Sequence, residues 1–463
     1  MNKKYKKTLF IFRRDLRLQD NTGLIAALKV SRSVVPAFVF DTQQTNKKKN
    51  DYFSLAAFQF MCSSLVELDA VLKKCGSRLY FFIGHPTDVV TTLIRKDGID
   101  AVFLNNDYTP FSRRRDAGIA SVCEKNNITF FGHNDIALSP IQDIVTKQGG
   151  VYSVFTPFKN NATSFLVSKV KRNNFSHYFS GRFKTKHVGV KKIPWVGQKN
   201  NQMVRAGRAA GLQLLRNDEY LKNYTKDRDF PAKIGTSHLS VHHKFGTISI
   251  RETYWRAMNF SGNTEQFLSQ LYWRDFYYYI AYHFPHVFGK PFLSWGEEIQ
   301  WINNKKDFRA WCSGKTGVPI VDAGMRELNK TGWMHNRVRM IVASYLTKNL
   351  LIDWRWGEKY FARHLVDYDP AQNNGGWQWS ASTGADPRPL RIFNPYLQAK
   401  RYDPAAVYIK RWVPELKPVS PAKLTDGKTQ DFSSFVFNYP KPVVGQRDSY
   451  HRAIKTYKEA KNS

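Results

Sequence analysis

The sequence predicts an α/β N-terminal domain with a parallel, Rossmann-like sheet, followed by an all-α C-terminal domain. Three observations carry this reading. Five short apolar runs near the start alternate with amphipathic helical segments. A polar, basic stretch then interrupts the pattern. All 12 tryptophans lie at or after Trp195, where the apolar spacing becomes helical.

Taken in order, the chain opens with MNKKYKKTLFIF, which imitates a signal peptide. Arg13, Arg14 and Asp15 break that apolar run, so it reads as a basic tail entering a strand. The five strands are 8–12 (TLFIF), 34–40 (VVPAFVF), 79–83 (LYFFI), 101–104 (AVFL) and 128–131 (ITFF). Such continuous apolar runs suit a sheet covered by helices on both faces. Segment 53–74 is one of the helix-like separators. No GxGxxG follows the first strand, so a nicotinamide-type fingerprint is absent. The domain boundaries are drawn at 1–135, a connection at 136–205, and the helical part at 206–463. The connection is marked by Gly149–Gly150, many Asn and Ser, and Lys169, Lys171, Arg172, Arg182, Lys184, Lys186, Lys191 and Lys192.

Lys and Arg number 71 against 37 Asp and Glu, a formal charge of +34. Such a field draws in polyanions, of which nucleic acid is the commonest. The four cysteines, Cys62, Cys75, Cys123 and Cys312, form no CxxC pair. That argues against a zinc ribbon, an iron–sulfur cluster or a disulfide scaffold, and fits a reducing compartment. No apolar stretch is expected to reach the roughly 18 residues that span a membrane.

Three segments carry chemistry. In 331–350 (TGWMHNRVRMIVASYLTKNL), Trp333, Asn336, Arg337 and Met340 recur at helical spacing. A face mixing indole, amide, guanidinium and thioether suits a planar ligand with polar edges; a buried polar network is the competing account. In 367–388 (DYDPAQNNGGWQWSASTGADPR), Asn373–Asn374–Gly375–Gly376 reads as a turn. Trp377 and Trp379 should point in different directions and so serve different partners. In 235–240 (GTSHLS), small hydroxyl residues at a helix start could cradle phosphate oxygens, although such residues also cap helices routinely.

With FRRDLRLQDN (12–21), YSVFTPF (152–158), RDFPAKIGTSHLS (228–240), residues 315–361 and residues 367–395, these segments resemble the photolyase/cryptochrome flavoproteins. Within them the chain most resembles the class I cyclobutane-dimer photolyases, over nearly its whole length. The resemblance implies a helical FAD-binding domain and FAD active as its reduced anion. Tyr224, Thr236, Ser237, Leu239 and Ser240 then match the phosphate end, with Arg274 nearby. Trp333, Asn336, Arg339, Asp367, Asp369 and Asn373 match residues around the adenine and the flavin ring. A guanidinium paired with a carboxylate, Arg339 with Asp367, would favour an anionic flavin.

The implied activity is repair of cyclobutane pyrimidine dimers in UV-damaged double- or single-stranded DNA, by electron transfer from the excited cofactor to a flipped-out lesion. Trp273, Gln270, Asn336, Arg337, Met340 and Trp379 match the lesion pocket, and Trp301, Trp354 and Trp377 match an electron-carrying tryptophan chain. Gln270 departs from the family, which usually carries glutamate there; glutamine is typical of (6-4) photolyases and some cryptochromes. The paired histidines of (6-4) enzymes are missing from MHNRVRM. A (6-4) photolyase or a cryptochrome-like blue-light receptor is therefore the alternative. For an antenna chromophore, Asp41, Asp107 and Lys244 fit a deazaflavin pattern better than a methenyltetrahydrofolate one, although Thr109 departs from it; an empty site or another flavin is the alternative. A cytoplasmic monomer without metal is expected.

Overall fold

The computed structural model describes residues 3–189, 204–387, 390–428, 431–432, 436 and 439–463. Lys191, Lys192 and Trp195 of the connection, and Arg388, lie outside the described residues. Strands β1 (Tyr5–Phe12), β2 (Ser31–Asp41), β3 (Tyr80–Gly84), β4 (Ala101–Asn105) and β5 (Thr129–His133) form one sheet in the order β3-β2-β1-β4-β5. Every pairing is parallel, with Thr8 opposite both Val34 and Ala101.

Helices α1 (Thr22–Val30) and α2 (Leu55–Lys74) belong to one face of the sheet, α3 (Pro86–Asp97) and α4 (Pro110–Lys125) to the other. Strand alternation sorts the side chains. Phe10, Phe12, Phe38 and Phe40 meet Leu24, Leu28, Phe60 and Leu65, while Leu9, Ile11, Val35 and Ala37 meet Val90, Leu93 and Ile119. Each of these buried Val, Leu, Ile and Phe side chains contributes about 1.5–3 kcal/mol. Ser54 starts α2 by accepting from the Ala57 N–H at 3.2 Å. This helix has the length and apolar composition of a membrane span, contrary to the sequence expectation. Its apolar residues Phe60, Leu65, Leu68 and Leu72 are instead spent on the sheet.

The stretch after β5 is not a solvated tether. Its described part is packed against both halves of the molecule. The Leu138 and Ser139 N–H groups donate to Asp275 at 2.8 and 3.0 Å. Helix α5 (Phe155–Ala162) buries Phe155 and Phe158 against Phe276. Further along, the Phe179 and Val188 N–H groups donate to the Val34 and Phe81 carbonyls at 2.8 and 2.9 Å. Its apolar residues follow no helical or strand period, so periodicity missed them.

The helices that frame the site are α6 (Ser240–Phe245), α7 (Ile250–Met258), α8 (Glu265–His283), α9 (Pro319–Thr331), α10 (Asn336–Ser344), α11 (Trp354–His364), α12 (Pro370–Ala381) and α13 (Gln446–Asn462). A π-helical turn, Tyr345–Asn349, follows α10. Trp311, Val342, Leu346, Trp354, Phe361 and Trp377 share the core of this half. Trp311 is wholly buried and gives its N–H to the Val342 carbonyl at 3.0 Å, so at least this indole is a packing residue.

An ionic knot ties the two halves. Arg17 and Arg251 both donate to Asp135, at 2.6 and 2.7 Å, and Arg251 donates to Asp20 at 3.0 Å. All four are buried. Arg17 and Asp20 follow β1, Asp135 follows β5 and Arg251 stands on α7. Breaking such a pair by removing one partner strands a buried charge.

Candidate active site and cofactor cleft

Helix α12 is the spine of the site. The Asn-Asn-Gly-Gly sequence predicted a turn, and the structure corrects this: residues 370–381 are helical. Asp369 caps the start, accepting from the Ala371 N–H at 3.0 Å, and Pro370 occupies the first position, where its missing N–H costs nothing. Gly375 serves packing instead: a Cβ there would strike the Tyr277 ring. A Cβ at Gly376 would meet nothing, leaving open space beside the helix. Asn373 donates to the Glu358 carbonyl at 3.0 Å, turning its amide toward α11.

The second wall is α10. The helix begins at Asn336, so Trp333 does not share its face as the spacing predicted; it lies in the turn before it. His335 fixes that start by accepting from the Arg337 N–H at 3.2 Å. Arg339 donates to both oxygens of Asp367, at 3.1 and 2.8 Å, and Ser240 adds a third hydrogen bond to that carboxylate at 2.7 Å. Trp333 is buried, with the His238 ring 4.7 Å away. Thr236, Ser237 and Leu239 lead into α6, and the Ser237 hydroxyl accepts from the Leu239 N–H at 3.3 Å. Tyr224 is buried edge-on to Phe267 at 5.2 Å. Arg274 donates to the Ile136 carbonyl at 2.6 Å and covers the Tyr278 ring.

Two features of this cup call for a polar ligand. His238 Nδ1 and His335 Nε2, both near the Trp333 ring, are buried without hydrogen-bond partners. Burial also lowers both imidazole pKa values, His335 to about 4, so they stay neutral at pH 7. Orphaned polar atoms of this kind are rare in finished cores. The residues present therefore fit a ligand that brings polar atoms to the Trp333 ring.

On the outer side, Met340 and Trp379 line one pocket with Ser344, Ser382, Arg391 and Phe393. Asn336 sits exposed beside Met340, its amide 3.8 Å from the sulfur. Trp273 stacks on Phe155 at 3.7 Å and 11°. Gln270 stands one helical turn before Trp273 on α8. Its carbonyl oxygen accepts from Arg228 at 3.2 Å; Arg228 pairs with Asp229, and Asp229 pairs with Arg337 at 2.8 Å. This relay links α8 to α10 across the 228–235 loop, and neither Arg228 nor Asp229 was predicted. Of the three indoles that match an electron-carrying chain, two are fully buried and one is partly exposed. Trp354 is 0% exposed, Trp377 is 2% exposed, and Trp301 is half-buried against Tyr457.

A second cavity of about 930 Å³ opens at the carboxyl ends of the strands, where the order reverses between β1 and β4. Ligands of open α/β sheets bind at such switch points. Asp41, Asp107 and Lys244 all line it, together with Arg14, Tyr52, Phe111 and Tyr368. Burial alone would raise the Asp107 pKa, but Arg14, Arg115 and Lys244 outweigh it and hold the carboxyl well below the usual range. Burial and Arg14 push Lys244 down to about 8. Among the described residues no cluster of His, Cys, Asp or Glu could hold a metal ion.

Comparison with known proteins agrees with this geometry. Residues 8–173 match the family described as DNA photolyase, and residues 267–459 the FAD binding domain of DNA photolyase. A deoxyribodipyrimidine photo-lyase from Synechococcus sp. is 38% identical, covering 94% of this chain and 93% of its own. An archaeal photolyase from Sulfolobus tokodaii, solved with two FAD molecules, superposes with a TM-score of 0.89 at 42% identity, over 98% of this chain and 100% of its own. A cryptochrome from Synechocystis sp. superposes at 0.86 with 27% identity, over 98% and 99%.

Proposed function

The chain belongs to the DNA photolyase family, and from that premise we propose that it repairs cyclobutane pyrimidine dimers in DNA with blue light and reduced FAD. When bound, the reduced flavin supplies the electron that opens the cyclobutane ring and takes it back. The protein's part is binding, orientation and electrostatics. Trp333, the two unpartnered imidazoles, Thr236, Ser237 and Ser240 would hold the cofactor, with Tyr224, Leu239 and Arg274 beside them. The fixed positive charge of Arg339, itself held by Asp367, favours an anionic ring in a site of low dielectric. Asn373, its amide held by the Glu358 carbonyl on α11, would meet the edge of the ring.

One observation carries the reading. Met340 and Trp379 line one small recess of about 20 Å³, with Ser344, Ser382, Asp386, Arg391 and Phe393 among its other walls, on the two helices that also bear Arg339 and Asn373. Widened on binding, that recess would offer a flat indole and a soft thioether to a flipped pyrimidine pair. Trp273, Asn336, Arg337 and Gln270 would border the opening. The Trp354 and Trp377 N–H groups are buried without acceptors, so an oxidised indole there keeps its proton. Trp301 reaches solvent, which suits the outer end of a chain delivering electrons inward.

The deciding experiment is blue-light repair of a thymine-dimer oligonucleotide by fully reduced protein. Conversion to monomers is expected, and no conversion would overturn the proposal. Gln270 gives substance to a second reading, because an amide cannot carry the usual negative charge. A parallel assay on a (6-4) lesion separates the two, and light-sensing without repair of either lesion would indicate a cryptochrome-like receptor. We assign the 930 Å³ cleft to an antenna chromophore of the deazaflavin class. A second flavin, as in the Sulfolobus protein, would be recognised by absorption spectra of the purified protein. We read the enzyme as a cytoplasmic monomer acting on damaged DNA.

A further inference from the structure

Arg14 stands where the two ligand sites meet. Its guanidinium lines the cleft at the strand ends and donates to Asp107 at 3.2 and 3.3 Å. The same guanidinium donates to Asp369, the residue that caps α12, and to the Tyr278 hydroxyl at 2.7 Å. Tyr278 in turn donates to Asp369 at 2.5 Å, and Arg14 Nε holds the Lys244 carbonyl at 3.2 Å. The Arg14, Asp107 and Asp369 side chains are only 12%, 8% and 5% exposed. One buried fork therefore joins the segment after β1, the loop after β4, α6, α8 and the cap of α12.

We propose that Arg14 is a positioning residue that couples the cleft at the strand ends to the seating of FAD on α12. This inference rests on reading α12 as the flavin-bearing helix. The coupling follows from charge balance in a dry site. Arg14 is shared by two carboxylates, one in each site. Neutralising Asp107, or engaging it with a polar ligand, leaves the guanidinium with Asp369 alone. In low dielectric that imbalance is not absorbed by solvent. The guanidinium then draws on the same Asp369 oxygen that Tyr278 uses, and the cap on the Ala371 N–H shifts with it. Lys244 also faces both Asp107 and Asp369, so the share of the effect that passes through Arg14 is isolated by removing Arg14.

A double-mutant cycle on the FAD-loaded protein tests this. The readouts are FAD dissociation, followed by flavin fluorescence on dilution, and hydrogen exchange at residues 371–373. Asp107→Asn, which keeps the shape and the Tyr108 N–H contact, is expected to weaken FAD retention about fivefold or more, the lower end of usual coupling strengths. It should also speed exchange in the first turn of α12. In an Arg14→Gln background the same substitution should change both markedly less, the remainder passing through Lys244. An effect of equal size in both backgrounds, or none in the Arg14 background, would overturn the coupling. Should Arg14→Gln fail to fold, Arg14→Lys keeps the charge but loses the two-pronged geometry and should show a reduced cycle term. A wild-type protein that takes up no FAD would refute the flavin assignment instead, while the exchange measurement still decides the coupling.

Discussion

Trp377 shows how much a single side chain is asked to do. It is 2% exposed, packs on Phe361 at 4.9 Å and Trp311 at 6.0 Å, and closes on Gly357, where any Cβ would strike its ring. Its neighbour Trp379 points instead to the recess beside Met340. Trp377→Phe keeps most of the volume but raises the cost of oxidation. Photoreduction of oxidised flavin is expected to slow at least tenfold, while dimer repair by chemically reduced protein survives largely intact; flash photolysis and a repair assay read the two. Equal loss of both would make Trp377 a packing residue only. The opposite pointing of these two indoles was legible in their spacing. The relay from Gln270 through Arg228 and Asp229 to Arg337 was not, because it joins residues far apart in sequence whose types are common on any surface.

At the scale of elements, α12 was misread and α10 partly so. Asn and Gly in succession weigh toward a turn, yet Asp369 and Pro370 immediately before them are a helix start, and those signals prevailed. The glycines are there because Tyr277 and the open side of the helix leave no room or no need for a side chain. Trp333 fell off its predicted face because the His335 cap delays the helix by one turn. Helix α8 offers a prediction in pH. Burial pushes the Asp275 carboxyl up to about 7, against partial relief from Arg274 and the Ser139 and Leu138 N–H groups. A carboxyl whose folded pKa is raised stabilises the fold below its unfolded value, about 4, and loses that contribution as pH climbs to about 7. Urea midpoints should therefore decline over this window in the wild type, and Asp275→Asn should flatten part of the decline. An Asn can keep the oxygen that receives both N–H groups and place its amide at the unpartnered Oδ1. An unchanged slope would remove Asp275 from the account.

For the whole molecule, the sheet was the most legible part, since each strand announces itself as an apolar run and the cores on its two faces follow from alternation. What joins the halves was hidden. FRRDLRLQDN resembles a family signature, but its charges are used internally: Arg17 and Asp20 in the knot with Asp135 and Arg251, and Arg14 between Asp107 and Asp369. The remaining excess of Lys and Arg, +34 in all, is left for polyanions. Binding to a dimer-containing duplex should weaken by about a thousandfold or more between 50 and 200 mM salt, as for proteins making about six to ten phosphate contacts. A flat salt response in fluorescence anisotropy would mean that base contacts dominate.

The capped rod that begins at Asp369 has a final consequence. Asn373, Trp377 and Trp379 ride on one continuous helix, so about 9 Å of axial travel separates the first from the last at 1.5 Å per residue. Their spacing is thus inherited from backbone pitch and does not stretch when loops or neighbouring layers breathe. Distant substitutions can tilt this rod as a unit, but they cannot change the distances along it.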